Sequence, residues 1–146
     1  MIDDYSDAAM IAFLPYDAEW AKEVDNPHMT LVYAGETKDH PPTGFNELAK
    51  DAAMLAMFVK PFRLLVKANE TFGDSSPVSV FTLQPTPDLW AMRRSVERWN
   101  KSEHEFRPHV TIGPPGTVIE HPPRAIGFDR LSVSWGKDQL VFWLRR

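Results

Sequence analysis

Two short stretches of the chain share one pattern and decide how the rest is interpreted: Pro27-His28-Met29-Thr30-Leu31 and Pro108-His109-Val110-Thr111-Ile112. Each contains a proline, a histidine, an apolar residue, a threonine and an aliphatic residue, in that order. Side chains alternate between the two faces of a β-strand, so the histidine and threonine of each copy share one face. The pattern therefore predicts two strands that each bury one face and present a histidine–threonine pair on the other.

The segments around these stretches predict an α+β fold. Apolar or alternating runs predict strands at 10–14, 27–34, 62–68, 78–83, 107–112, 131–135 and 139–144. Helices are predicted at 18–24, at 44–58 and from Pro87 onward, with Asp17, Thr43 and Thr86 as their N-caps. Because hairpins as well as helices join the strands, the order β-α-β-α-β-β-α-β-β-β favours α+β over a parallel doubly wound sheet.

The length and composition indicate one domain over residues 1–146. The chain has 146 residues, of which 43% are apolar, which is enough for a sizeable core. One copy of the histidine–threonine pattern lies in each half, too far apart for a solenoid repeat. We expect two similar lobes that face each other.

Charge and composition restrict the classes of partner. The net charge is −4 and the isoelectric point is about 5.7, whereas proteins that bind long nucleic acids usually present a basic face. A small phosphorylated ligand needs only a few local cations and remains compatible. The chain lacks cysteine, which excludes disulfides and thiolate metal sites. We expect no membrane span, no secretory signal in the acidic N-terminus and, by default, a cytoplasmic protein of undetermined oligomeric state.

The two pairs have the chemistry that cleavage of a phosphodiester needs. One group must take a proton from the attacking water or hydroxyl, and another must give a proton to the leaving oxygen. Two imidazoles that titrate near neutrality suit both tasks, so His28 and His109 are the candidate acid and base in either order. The hydroxyls of Thr30 and Thr111 are candidates to donate hydrogen bonds to the phosphate oxygens. This chemistry requires no metal and no cofactor.

Three further side chains are candidate substrate contacts. Tyr16 follows the first strand and is suited to stacking on a base at the rim of the cleft. Arg107 has the same strand parity as His109 and is a candidate phosphate contact. Trp143, in the terminal strand, is a candidate for the cleft lining. Packing in the core or on the surface is the alternative for each of the aromatic residues.

Other polar residues are interpreted as structural. His40 and His121 each precede a pair of prolines and are predicted to lie in exposed loops. His104, between two glutamates, is predicted to lie in a solvated turn rather than to bind a metal. Arg93, Arg94 and Arg98 are predicted to form the outer face of the third helix.

On its two motifs the sequence resembles the 2H phosphoesterase superfamily, which includes the 2′-5′ RNA ligase-like proteins and cyclic phosphodiesterases. That group is defined by two His-x-Thr/Ser-x motifs, here His28-Met29-Thr30-Leu31 and His109-Val110-Thr111-Ile112. The approach Phe106-Arg107-Pro108 to the second motif is close to the usual form in the family. The resemblance implies a bilobal α+β fold, with two antiparallel sheets and flanking helices around a central cleft.

The same resemblance implies metal-independent action on a cyclic or 2′-linked (oligo)nucleotide. Small viral members of the group cleave cyclic-nucleotide immune signals, and the compact chain without a basic cluster fits that class. Two alternatives remain open: an RNA-end processing enzyme acting on 2′,3′-cyclic phosphates or 2′-5′ linkages, and a module that binds a nucleotide without cleaving it.

Overall fold

The structure is a computed structural model that describes residues 7–145. The expectation that the N-terminus carries no secretory signal concerns residues 1–6, which lie outside this range. Seven strands are present in the described part: β1 Ala8–Pro15, β2 Met29–Glu36, β3 Phe62–Phe72, β4 Val78–Leu83, β5 His109–Gly113, β6 Ala125–Trp135 and β7 Asp138–Trp143. The α-helices are α1 Glu19–Lys22, α2 Gly44–Phe58 and α3 Pro87–Ser95, and short 3₁₀ turns occur at Thr37–Asp39 and Glu97–Trp99.

This order of elements is the predicted one, and the α+β class is confirmed. All strand pairs are antiparallel. The expected division into two sheets is not confirmed, because hydrogen bonds join the strands in the single path β2-β1-β6-β3-β4-β5, with β7 on β6. The joint lies in β3, whose residues 62–65 pair with β6 and whose residues 66–72 pair with β4.

The joint divides the sheet into two parts that position the two motifs. We call β2, β1, β6 and β7 the β2 half, and β5, β4 and residues 66–72 of β3 the β5 half. Strands β2 and β5 end the path of paired strands, yet their Cα atoms approach within 8 Å. The sheet therefore curls until its two ends, which carry the two motifs, lie beside each other.

One continuous core lies against one face of this sheet. Phe13, Met29 and Leu131 lie opposite one another on neighbouring strands, and all three are fully buried. Helix α2 contributes Leu48 and Ala52 to the same cluster. Alternating side chains thus fix the register, since a slip by one residue would turn these groups toward solvent.

The helix predictions are mostly confirmed, with two errors at the caps. Helix α2 has the predicted bounds, and Thr86 caps α3 by accepting a hydrogen bond from the backbone N–H of Leu89 at 3.1 Å. Thr43 makes no capping hydrogen bond because its backbone is already helical, at φ −82° and ψ −4°. Asp17 is also not a cap, because α1 begins later and its N-cap position is Ala18.

The prediction that His40 lies in an exposed loop is wrong. Its imidazole is half-buried between Trp99 and Trp135, with ring centroids 5.7 and 5.3 Å away. Its Nε2 is 2.6 Å from the carbonyl oxygen of Ala34. Aromatic residues distant in sequence create this environment, which the Pro-Pro pair after His40 does not reveal.

The prediction that Arg93 faces outward is also wrong, because only 6% of the residue is exposed. Its guanidinium pairs with Glu97 and lies 5.3 Å from the ring centroid of Phe106. Arg98 instead reaches Asp51 on α2, at 2.8 Å between Nη2 and Oδ2. Within residues 7–145, no helix has the length and apolar character to span a bilayer.

Candidate active site

The two histidine–threonine pairs lie on one face of their strands, as the alternation predicts. His28 immediately precedes β2 and His109 begins β5. Both histidines, together with Thr30 and Thr111, are half-buried, whereas the alternate residues Met29, Leu31, Val110 and Ile112 are buried in the core. Each pair therefore stands on a strand whose opposite face is fixed by packing.

Both imidazoles are held by the same local hydrogen bond. Nδ1 of His28 lies 2.8 Å from the carbonyl oxygen of Asn26, and Nδ1 of His109 lies 2.7 Å from that of Arg107. A carbonyl oxygen only accepts, so Nδ1 must donate its proton in both residues. The other nitrogen, Nε2, is then the atom of each ring that exchanges a proton with a ligand.

The two histidines are close enough to influence each other electrostatically. Burial lowers the pKa of His109 most strongly, the charge on His28 lowers it further, and so does the charge on Arg107. The hydrogen bond to the Arg107 carbonyl opposes these effects. The net lowering favours the neutral form of His109 at pH 7, which is the form that accepts a proton.

An aromatic ring and an ion pair surround His109. Phe72, the last residue of β3, presents its ring edgewise to the imidazole at 4.8 Å between centroids. The guanidinium of Arg107 covers the same phenyl ring at 4.3 Å and pairs with Glu70 at 3.5 Å. The side chain of Arg107 thus lies against the phenyl ring that contacts His109.

His28 has more open surroundings. Thr30 donates a hydrogen bond from Oγ1 to the sulfur of Met10 at 3.8 Å. The residues just before His28, Asn26 and Pro27, line a pocket of about 310 Å³ that also includes Tyr16. Tyr16 therefore lines the same pocket as the two residues that precede His28.

Trp143 lies on the same face of the sheet but farther away. It pairs with Arg130 of β6, which pairs with Leu14 of β1. Since Phe13 pairs with Met29, the next position in this row is that of His28, just before β2. Three strand spacings separate the two ends of the row, about 14 Å. The guanidinium of Arg130 lies 5.6 Å from the Trp143 ring centroid. Trp143 thus occupies the far margin of the β2 half and does not adjoin the histidine pairs.

The remaining histidines lie elsewhere. His121 and its neighbour Glu120 are both highly exposed. His104 is exposed between two exposed glutamates, as predicted for a solvated turn. Across residues 7–145, no group of three or more His, Asp or Glu side chains is arranged to hold a metal ion.

Sequence reasoning missed Phe72, Glu70, Arg130 and Gly127. The predicted third strand ended at residue 68, whereas β3 continues to Phe72 and carries Phe72 and Glu70 to His109. The predicted sixth strand began at residue 131, whereas β6 begins at Ala125 and includes Gly127 and Arg130. A lone glycine inside a strand indicates close approach of another group, but Gly127 lay outside the predicted strand, so the sequence did not give this signal.

Comparison with known proteins shows which family this chain belongs to. A profile of the 2′-5′ RNA ligase superfamily matches residues 14–118, which include both motifs. No curated protein sequence gives a significant match. The profile match agrees with the resemblance inferred from the two His-x-Thr motifs.

Solved structures share the fold at low sequence identity. TT0787 of Thermus thermophilus is 16% identical, with a TM-score of 0.60, over 94% of this chain and 95% of that one. Usb1 of Kluyveromyces marxianus is 8% identical, with a TM-score of 0.67, over 97% and 99%. E. coli LigT is 18% identical, with a TM-score of 0.51, over 96% and 95%. LigT has been crystallised with 3′-AMP and with NADP+, and Usb1 with uridine monophosphate.

Proposed function

The chain belongs to the 2′-5′ RNA ligase superfamily of 2H phosphoesterases, and on that premise we propose that it is a metal-independent phosphodiesterase acting on a cyclic or 2′-linked (oligo)nucleotide. The observation that carries the proposal is the matched geometry of its histidines. Both rings donate from Nδ1 to the carbonyl two residues earlier, on strands whose Cα atoms approach within 8 Å. Two proton-exchanging Nε2 atoms beside one phosphate are what acid–base cleavage requires.

We assign the base to His109 and the acid to His28. Nε2 of neutral His109 takes a proton from the attacking water or hydroxyl as its oxygen bonds to phosphorus. Nε2 of protonated His28 gives a proton to the leaving oxygen as the phosphorus–oxygen bond breaks. The lowered pKa of His109 supports this order, because it keeps that ring neutral at pH 7. After each turnover, His109 must release one proton to the solvent and His28 must take one up.

The threonines and Arg107 are assigned to the phosphate itself. Thr30 and Thr111 lie two residues after the histidines on the same strand faces, which supports a role for their hydroxyls as donors to the non-bridging oxygens. Such donors stabilise the charge that grows in the transition state. Arg107, beside His109, adds a cation at the same side of the site.

A small nucleotide suits the site better than long RNA. The net charge of −4 gives no basic footprint for a long phosphate backbone. The related LigT and Usb1 have been crystallised with small nucleotides, which supports a nucleotide ligand of this size. We include cyclic-nucleotide signals of the kind degraded by small viral members of the group among the proposed substrates.

Turnover of a defined panel tests the proposal. The purified protein is incubated, with EDTA present, with 2′,3′-cyclic mononucleotides, cyclic dinucleotides and 2′-5′ oligoadenylates, and products are separated by chromatography. We expect cleavage of at least one member and none by His28→Ala. Recovery of every member intact after tight binding would favour a binding module instead. Preferential action on RNA ends, with strong salt dependence, would favour the RNA-processing alternative.

A further inference from the structure

The ring of Tyr16 lies directly on the backbone of Gly127. A Cβ atom placed on Gly127 would be only 2.3 Å from Cε2 and 2.4 Å from Cδ2 of the tyrosine. The backbone N–H of Tyr16 also donates to the carbonyl of Gly127 at 2.9 Å. The register between β1 and β6 shifts just before this point, between Leu14 and Pro15. Because Gly127 has no side chain, the ring of Tyr16 has room to lie against its backbone.

The ring supported in this way borders the pocket next to His28. Tyr16 keeps 39% of its surface exposed although Gly127 lies against it. The pocket, of about 310 Å³, is lined by Leu14, Tyr16, Ala18, Lys22, Asn26 and Arg130, among others. The carbonyl of Asn26 also accepts the hydrogen bond from Nδ1 of His28 at 2.8 Å. A ligand in this pocket would therefore contact Asn26, whose carbonyl holds the ring of the catalytic residue that we assign as the acid.

The charges at this pocket favour an uncharged occupant. Nε of Arg130 pairs with Asp129 at 2.9 Å, and its Nη2 donates to the carbonyl of Pro15 at 2.5 Å. Lys22 pairs with Glu19 at 3.0 Å, in an exposed ion pair. The charge of Arg130 is neutralised by Asp129, and the carboxylate of Asp17, which also lines the pocket, would repel a phosphate. A planar uncharged ring fits the tyrosine face and the apolar lining of Leu14 and Ala18 better.

We propose that this pocket binds the nucleobase on the leaving-group side of the substrate, with Tyr16 as the stacking surface and Gly127 as the residue that determines base binding. The inference rests on the proposed function, because it places the base relative to a phosphate held between His28 and His109. Alanine at position 127 needs no strained backbone, since the φ of Gly127 lies outside the left-handed region. Its effect therefore comes mainly from displacing the Tyr16 ring.

Nuclear magnetic resonance of the whole protein tests the pocket without requiring turnover. Labelled tyrosine and histidine ring signals are followed during titration with 3′-AMP and, separately, with inorganic phosphate. We expect 3′-AMP to shift the signals of Tyr16 and both site histidines, and phosphate to shift those of the histidines alone. Histidine shifts with an unchanged Tyr16 signal would overturn the pocket assignment and leave the proposed function standing. Unchanged signals for all three residues would overturn both.

A double-mutant cycle tests the role of Gly127. Because stacking of a base on an aromatic ring contributes about 1–3 kcal/mol, Gly127→Ala should weaken 3′-AMP binding about 5- to 150-fold. Phosphate binding should stay unchanged. In the Tyr16→Ala background, Gly127→Ala should have no further effect, because the ring it displaces is gone. Equal losses with and without Tyr16 would show that Gly127 acts through the fold and would overturn its assigned role.

Discussion

The β2 half and the β5 half present the same histidine–threonine pair in different surroundings. In each, a histidine at the start of an edge strand donates from Nδ1 to the carbonyl two residues earlier, and a threonine follows on the same face. His109 packs against Phe72 beside the Arg107–Glu70 ion pair, whereas the residues just before His28, Asn26 and Pro27, line an open pocket. The local backbone geometry thus leaves Nε2 of each imidazole available for proton transfer. The residues around each imidazole differ between the two halves.

Under the proposed mechanism, this difference suits two equal motifs to opposite proton transfers. A base must be neutral before reaction and an acid must be protonated, so identical environments would serve neither task well. Burial against Phe72 favours the neutral form of His109. The pocket beside His28 gives a leaving group room to depart. Four sets of substitutions test this comparison. Two concern the histidines and threonines that both halves contain, and two concern the residues around them that differ.

The largest effect is expected from the histidines. His28→Ala and His109→Ala should each lower kcat by about 10²–10⁴-fold, since each removes one proton transfer. The exposed His121 provides the control, and His121→Ala should leave kcat unchanged. Steady-state hydrolysis of the best substrate measures all three. Full activity in either site variant would mean that the halves do not act together.

The threonines should follow in size. Thr30→Val and Thr111→Val keep the shape of the side chain but remove the donor, so each should lower kcat by about 10²–10³-fold. Thr71→Val, at an exposed position of β3, is the matched control. If the two halves share the phosphate equally, the two losses will be similar when kcat is measured. An increase in KM with an unchanged kcat would show that the hydroxyls stabilise the bound substrate and not the transition state specifically.

Removal of the Phe72 ring should make the two halves more alike. Burial lowers the pKa of His109, so Phe72→Ala should let water reach the imidazole and raise that pKa toward its ordinary value. Because the base acts when neutral, the acidic limb of kcat/KM should move to higher pH by the same amount. Leu65→Ala, at an exposed site on the same strand, should leave the limb in place. A limb that moves to lower pH would refute the assignment of His109 as base.

The smallest effect concerns the turn that holds His28. Asn26 has φ +49°, whereas the equivalent Arg107 has an ordinary backbone. Left-handed backbone costs a non-glycine residue about 1–2 kcal/mol, and asparagine tolerates it better than most. Asn26→Ala should therefore lower the free energy of unfolding by about 1 kcal/mol, and Asn26→Gly should not. Urea unfolding measures both variants, and equal destabilisation would show that the amide side chain, not the backbone, is what matters.

The sequence predicts the parts of this structure that depend on local pattern. Strand alternation placed His28 and Thr30 on one face, and apolar periodicity located α2 at its observed bounds. Such local patterns do not predict contacts between residues that are distant in sequence. Residues 69–72 of β3 look like the start of a loop, yet they pair with β4 and bring Phe72 to His109. Likewise His40 becomes half-buried because Trp135, far away in sequence, lies against it.

The pH dependence of kcat/KM for the wild-type protein, measured with EDTA present, tests the central claim most directly. If one histidine acts as base and the other as acid, activity should rise as His109 loses its proton and fall as His28 loses its own, which gives a bell-shaped profile. A profile that changes in one direction only across the range in which histidines titrate would contradict the two-histidine mechanism.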